Sequence, residues 1–449
     1  MMKSNIENTQ LLERSPISQL FLKYALPSLV TVLFFGLQNI VDGIVVGNYA
    51  GAEALGGVNI VLPFYSMLMV VAFIIGTGCQ TIVSHGLGEN NLQKSQDAMT
   101  TGFWALTLVS ITITAILLFF AEQFTKLLGA DEVLIPHALG YLKGLLPFIL
   151  PIALCFYSDA MLKALGHPKF SMLMMSFTVI LNIAFSVYLV KYAGMGTMGA
   201  SMATGIAFSI GLLISAIITF NPKQKLSMLK GRFSGKLLWQ SFYNGSSEGV
   251  SEMASAVTIF VVNLAVIKLM GTEGISAFTV INYINFTGVL IFLGISDGLI
   301  PVLGYNYGAG NFERVKNIFR YAAKINISIG IAIFFVLQFF GSSIIQLFFD
   351  DADSKVLNIA TLGLSIYSFV FLINGMNILI TSYFTSLGEA GKSILMAVCR
   401  GIVFIVTGVS ILPLFFGING AWITIPLAEL LTLFLAVYLL IKTNKKFIL

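Results

Sequence analysis

Residues 171–190 read SMLMMSFTVILNIAFSVYLV and residues 201–220 read SMATGIAFSIGLLISAIITF. Neither stretch holds an Asp, Glu, Lys or Arg. Twenty residues of α-helix rise about 30 Å, the thickness of a bilayer's hydrocarbon core. Each stretch is therefore a predicted transmembrane helix. Outward from these two blocks the chain continues in the same way: of 449 residues, 57% are hydrophobic and 10% charged, with a mean hydropathy of +0.92. A soluble domain is roughly one-quarter charged, and this chain has too few polar side chains to cover a globule of its size. A membrane β-barrel would alternate in segments of about ten residues, a pattern not seen here. The fold class is an all-α polytopic membrane protein.

Breaking the apolar blocks at charges and at Gly or Pro gives twelve transmembrane helices, at about 16–46, 54–88, 96–120, 131–163, 169–190, 197–220, 237–269, 275–308, 314–346, 354–387, 392–413 and 419–441. Loops on the side of the N-terminus carry about 17 Lys or Arg, among them Lys3, Arg14, Lys94, Lys223, Lys230 and Lys446; the other side has Lys126, Lys191, Lys268 and Lys355. Both termini are therefore expected in the cytoplasm, with the protein multi-pass in the cell (plasma) membrane. The first apolar run is too long for a signal-peptide core and is expected to stay as an anchor. The expected organisation is a tail 1–15, a six-helix lobe 16–220, a basic linker 221–236, a second six-helix lobe 237–442 and a tail 443–449.

The net charge of +5 is explained by topology, and no nucleic-acid partner is expected. Cys79, Cys155 and Cys399 lie inside apolar runs, where a disulfide framework is not expected. No Cys/His spacing fits a metal site, no Walker loop is present, and Gly76-x-Gly78 lies in an apolar helix rather than after a strand. No metal, cofactor or enzymatic centre is expected.

The halves resemble each other at an offset of about 220 residues. Gly51-x-Glu53 aligns with Gly271-x-Glu273, Gly78 with Gly298, and Gly88-x-x-Asn91-x-x-Lys94 with Gly308-x-x-Asn311-x-x-Arg314. Leu165-Gly166 meets Leu387-Gly388, and Gly196-x-x-Gly199-Ala200 meets Gly417-x-x-Gly420-Ala421. Six crossings return the chain to its starting side, so the repeats are parallel, a pseudo-two-fold about the membrane normal. Two like bundles around a midplane cavity are the physical basis of alternating access.

These residues resemble the multidrug and toxic compound extrusion (MATE) transporters over essentially the whole chain. The resemblance rests on Val41-Asp42-Gly43 and Gly47, the Gly/Asn motifs after spans two and eight, and Asn182. Gly199-Ala200-Ser201-x-x-Thr204, Asn244-Gly245-Ser246 and Glu252 complete it. It implies two six-helix lobes in a V, a cavity between them, and export of organic compounds driven by a proton or sodium gradient. Many members carry an Asp four residues after the span-five Asn; here Ser186 stands there. That puts a two-carboxylate sodium site in doubt and tilts the expectation toward protons.

Charges inside the membrane are expensive and mark function. Asp42 follows Gln38 and Asn39 near the outer end of span one. The resemblance assigns it ion coupling, with Asn182 and Thr204 as neighbours; the plain alternative is a solvated Asp at a helix end. Span seven carries Asn244, Glu248, Ser251, Glu252 and Ser255 at spacings of three and four, one helix face. That face reads equally as a second ion site or cation anchor, centred on Glu252, and as a helix–helix hydrogen-bond network. Arg400 and Glu429, at like depth in spans eleven and twelve, read as a structural ion pair. Asp159 and Lys163 read as an i,i+4 pair. Pro27 removes a backbone bond from span one and reads as a hinge or a static kink. Expected cavity residues are Gln38, Tyr65, Glu248, Asn282, Tyr283, Asn374 and Asn377, with Met67 and Met69 beside them.

The expected function is a secondary antiporter that exports amphipathic or cationic organic compounds, such as drugs, in exchange for H+ or Na+. Its partners are then small organic substrates, the coupling ion and the lipid bilayer, and it is expected to act as a monomer. The alternative is a flippase for lipid-linked oligosaccharides or polysaccharides from a related transporter group. Such a protein must neutralise a diphosphate, whereas the interior charges here are mostly acidic.

Overall fold

The computed structural model describes residues 12–348 and 354–446. Lys3 and most of the two expected tails lie outside the described residues, as do the side chains of Lys355, Lys445 and Lys446. Among the described residues every regular element is helical.

Helices α1 (Ile17–Ala50), α2 (Ala52–Gly88), α3 (Leu92–Leu127), α4 (Ile135–Ala164), α5 (Pro168–Tyr192) and α6 (Gly196–Thr219) come first. A helical stretch Gly235–Gly308 follows, then α9 (Phe312–Gln346), α10 (Val356–Ser386), α11 (Ala390–Phe416) and α12 (Ile418–Lys446). The 74-residue stretch would be about 110 Å long if straight. It breaks at Gly271, where φ is 65° and ψ is −148°, into α7 (235–270) and α8 (272–308). With that break the eleven stretches among the described residues that are long and apolar enough to cross a membrane become the twelve expected crossings.

The repeat seen in the glycines is a repeat of backbone shape. Gly51 (φ 96°) ends α1 as Gly271 ends α7. Gly166 (φ 85°) and Gly388 (φ 75°) close α4 and α10 alike. In each, the residue after the glycine donates five positions back: His167 N to Leu162 O at 2.9 Å, Glu389 N to Phe384 O at 2.9 Å. This is a left-handed cap that glycine adopts without a Cβ penalty. The Gly-x-x-Asn motif is likewise a cap: Asn91 Oδ1 accepts from Lys94 N at 3.0 Å at the start of α3, and Lys94 pairs with Glu89 at 2.9 Å. Two further correspondences carry no sequence signal. A 3₁₀ turn interrupts α4 at Leu146–Phe148 and α10 at Ser368–Val370. A π segment closes α5 at Val187–Tyr192 and interrupts α11 at Cys399–Val403.

The chain divides into two compact units, Met1–Gly245 with Gly304–Asn311, and Ser246–Leu303 with Phe312–Leu449. In the first, Phe156 stacks on Phe208 at 5.1 Å and meets Phe35 at 5.3 Å. Tyr157 Oη donates to Met99 O at 2.8 Å. In the second, Phe278 packs against Trp422 within a core of Phe292, Phe371 and Ile378. Leu108, Phe119 and Leu213 are at least 69% exposed, as lipid-facing residues should be.

Lipid is as apolar as leucine, so such helices are held by close packing and hydrogen bonds. The tightest approach in the first unit is between α2 and the start of α7. A Cβ on Gly78 would stand 1.8 Å from Ser241 O, and one on Gly245 would stand 1.7 Å from Ile74 O. Gly43 has nothing within 4 Å of the same position. Gly78→Ala should therefore lower stability by about 3 kcal/mol or more, whereas Gly43→Ala should be neutral or stabilising. Thermal melting of the two purified variants in detergent checks the contrast.

Candidate functional site

Asp42 lies on α1, and its neighbours come from α1, α2, α4 and α5. Ser186, the last α-helical residue before the π segment of α5, and Gln38, one turn before Asp42, are the side chains in hydrogen-bonding reach of its carboxyl. Neither completes a well-formed bond: Asp42 Oδ1, Ser186 Oγ and Gln38 Oε1 are all buried and lack a partner. Tyr65 and Tyr141 lie close enough to feel the carboxylate's charge. Asn182 is fully buried; its amide donates to Thr204 Oγ1 at 3.0 Å, which itself donates to Ala200 O at 3.3 Å. The Asn182 carbonyl oxygen has no partner. The first unit thus places a carboxyl beside two oxygens without partners, Gln38 Oε1 and Ser186 Oγ, an arrangement able to hold a proton or a small cation. Tyr65 also lines a small cavity of this unit with Met69, Ser110, Leu145 and Ile152. The sequence reading missed Tyr141 and took Ser186 only as a missing Asp; nothing in an apolar run flags a tyrosine as facing an acid.

Pro27 is buried in α1, and Thr31 Oγ1 donates to Pro27 O at 3.0 Å. Asp159 and Lys163 pair at 2.9 Å, both nearly inaccessible, with the Ser171 hydroxyl also bonded to Asp159.

A second group of charges lies in the second unit. Arg400 sits in the π segment of α11, its Nε 3.7 Å from Glu429 Oε1 on α12. Glu429 is 5% exposed. Asn374 and Asn377, one turn apart on α10, turn their amides to it: Asn374 Nδ2 donates to Oε1 at 3.1 Å and Asn377 Nδ2 to Oε2 at 2.7 Å. The two asparagines, expected at the cavity, are buried partners of this carboxylate. The π segment fixes Arg400 because its freed carbonyl is used: Thr258 Oγ1 of α7 donates to Gly401 O at 3.1 Å, and Gly401 packs directly on Ala254.

The span-seven stripe divides. Ser251 and Ser255 donate back to their own helix, at 2.8 and 3.0 Å. Glu248 is half-buried near Asp297 and Glu252, and Glu252 is exposed near Arg400. Asn282 is half-buried; Tyr283 is exposed, with its ring stacked on Phe348 at 6.4 Å. Among the described residues no three His, Cys, Asp or Glu side chains converge as a metal site.

A family model described as MatE matches this chain twice, over residues 27–188 and again over 249–410. The chain belongs to the MatE family. The two matches are the two repeats, each spanning the first five crossings of its half. This MATE protein is a multi-pass membrane transporter and not an enzyme. It is 25% identical over 440 residues to "Multidrug export protein MepA" of Staphylococcus haemolyticus, covering 97% of this chain and 95% of that one. Its fold matches a crystal structure of MATE in complex with MaL6 at a TM-score of 0.91 and 21% identity, over 98% of this chain and 99% of that chain. It matches an outward-facing "multidrug resistance MATE family transporter of the MOP superfamily" at 0.91 and 21%, over 98% of each chain.

Proposed function

We propose that the protein is a multidrug exporter: a secondary antiporter that moves amphipathic or cationic organic compounds outward in exchange for H+ or Na+ by alternating access. It sits in the plasma membrane with both termini cytoplasmic, works as a monomer, and has lobes at 16–220 and 237–442. The relative named as a multidrug export protein supports the cargo class. The observation that carries the coupling is Asp42 Oδ1, buried with no hydrogen-bond partner beside Ser186 and Gln38. A lone carboxyl of this kind can exist charged when water reaches it and protonated when it does not. Cation release and uptake then bias the two transport states. With Ser186 in place of a second carboxylate, protons are the favoured ion. Glu252, with Glu248, anchors a cationic cargo or a second ion, and Gln38, Tyr65, Asn282 and Tyr283 line the path. Asn374 and Asn377 act on it through Glu429. Pro27 supplies the bend of α1.

Dye efflux from everted vesicles, with proton and sodium gradients imposed separately, tests the whole reading. Expulsion of a fluorescent cation under the proton gradient is the expected result. Stimulation by sodium alone overturns the choice of ion, and a cation expelled under neither gradient favours a flippase for lipid-linked saccharides.

A further inference from the structure

Residues 221–234 connect α6 to α7 and carry Lys223, Lys225, Lys230 and Arg232, with Lys236 just beyond in the first turn of α7. A polar, basic segment of this length is expected to be a solvated tether. Instead, four side chains on one face of the start of α3 hold its backbone. Gln96 makes two bonds to Ser227: Nε2 donates to its carbonyl, and Oε1 accepts from its N–H at 3.0 Å. Thr100 Oγ1 accepts from Gly231 N at 2.9 Å, Asp97 Oδ1 from Arg232 N at 2.7 Å, and Thr101 Oγ1 from Ser234 N at 3.0 Å. Leu226, Ser227 and Met228 are buried beneath, and Met228 N donates to Thr219 O at 2.8 Å.

The backbone is thus stitched down while the cationic side chains point out. All five are exposed, and none forms an ion pair among the described residues. Among the described residues, Lys230 is the one of the five whose side chain has a hydrogen-bond partner, Gln224 O at 2.8 Å. Exposed apolar groups stand among them: Leu229 and Phe233 in the linker, then Trp239 stacked on Phe242 at 6.4 Å in the opening turns of α7. That first turn holds no acidic residue to answer the partial positive charge of the helix N-terminus.

We propose that the clamped linker is a binding site for the headgroups of anionic phospholipids in the adjoining leaflet. Clusters of four to eight Lys or Arg beside a transmembrane helix recognise anionic lipid, and Trp and other amphipathic rings settle at headgroup level. Cations and rings occur together here, at the junction of two crossings, with the cations lacking carboxylate partners. The clamp adds what charge alone does not: the five cations keep fixed spacings, so less freedom is lost on binding. Lipid bound there bridges the end of α6, the start of α3 and the start of α7.

The test uses the full-length protein in mild detergent, with phosphatidylglycerol and phosphatidylcholine as probes and retained lipid read by native mass spectrometry. Wild type should retain phosphatidylglycerol roughly tenfold over phosphatidylcholine. The variant K223Q/K225Q/K230Q/R232Q/K236Q should bind both equally. The variant Q96A/D97A/T100V/T101V keeps all five charges yet should lose most of the preference, to about threefold or less. Gln96→Ala alone, which removes both bonds to Ser227, should lie between and guards against a misfolded quadruple variant. Equal retention of the two lipids by wild type overturns the site. Full preference in both clamp variants overturns the fixed array, and displacement of the lipid by millimolar inorganic phosphate overturns a lipid occupant in favour of a free anion.

Discussion

Asp42→Asn should reduce gradient-driven dye export to the level of vesicles without the protein, a loss of roughly a hundredfold, while leaving the melting temperature unchanged or higher. Moving a two-state transporter from mostly one face to mostly the other needs a ligand with about 10⁴-fold preference between states. A bound proton can supply such a preference only where a group takes it up and releases it, and an amide does neither. The fold has little to lose, because the amide is nearly isosteric and Asp42 Oδ1 has no bond to forfeit. An amide also removes the cost of holding a charge in a buried place. Export in everted vesicles and thermal melting of the same preparation read the two halves of the expectation. Unimpaired export by Asp42→Asn removes Asp42 from the mechanism.

The largest expected effect on stability is at Glu429. Glu429→Leu should cost about 3–5 kcal/mol, since it leaves Arg400 without its partner and strips acceptors from Asn374 and Asn377. Arg400→Met should cost less, because the carboxylate keeps both amide donors and the guanidinium was already partly exposed. The double variant Arg400→Met/Glu429→Leu should be more stable than Glu429→Leu alone, as replacing both members of an ion pair avoids an orphaned charge. It should still fall short of wild type while the two asparagines remain. Yield and melting temperature of the three variants give the order. Equal values for Glu429→Leu and the double variant would sink the idea that Arg400 and Glu429 compensate each other.

The fold is legible in the sequence because its two determinants are local. Charge-free blocks such as 171–190 mark crossings by length alone, and glycines with left-handed backbone, at Gly51, Gly166, Gly271 and Gly388, mark where crossings stop. What is not repeated is the chemistry. Asp42, Arg400 and Glu429 each belong to one half, so the repeat that identifies the architecture says nothing of the site. Asp42 stands out because a carboxylate in an apolar run costs too much to be idle. Ser186 and Tyr141 do not, since serine and tyrosine are ordinary in such helices. The asparagines of α10 were visible as polar, but their direction was not: only the packing of α10 on α12 turns them to Glu429. The grip of Gln96, Asp97, Thr100 and Thr101 on the linker is illegible for a related reason. Four polar residues opening a helix look like a solvated face, and their partners lie more than a hundred residues away.

The π segment in the middle of α11 has a consequence for anyone cutting or grafting this chain. A π turn carries one residue more than the α-helical turn it replaces, so side chains beyond it are rotated by about 100° from where an uninterrupted 3.6-residue count would aim them. A helical wheel drawn straight through α11 assigns its far end to the wrong face and has to be restarted at Phe404. The same surplus makes 399–403 the place where a single codon can be lost and the helix simply straightens its count, whereas a deletion elsewhere in α11 twists everything after it.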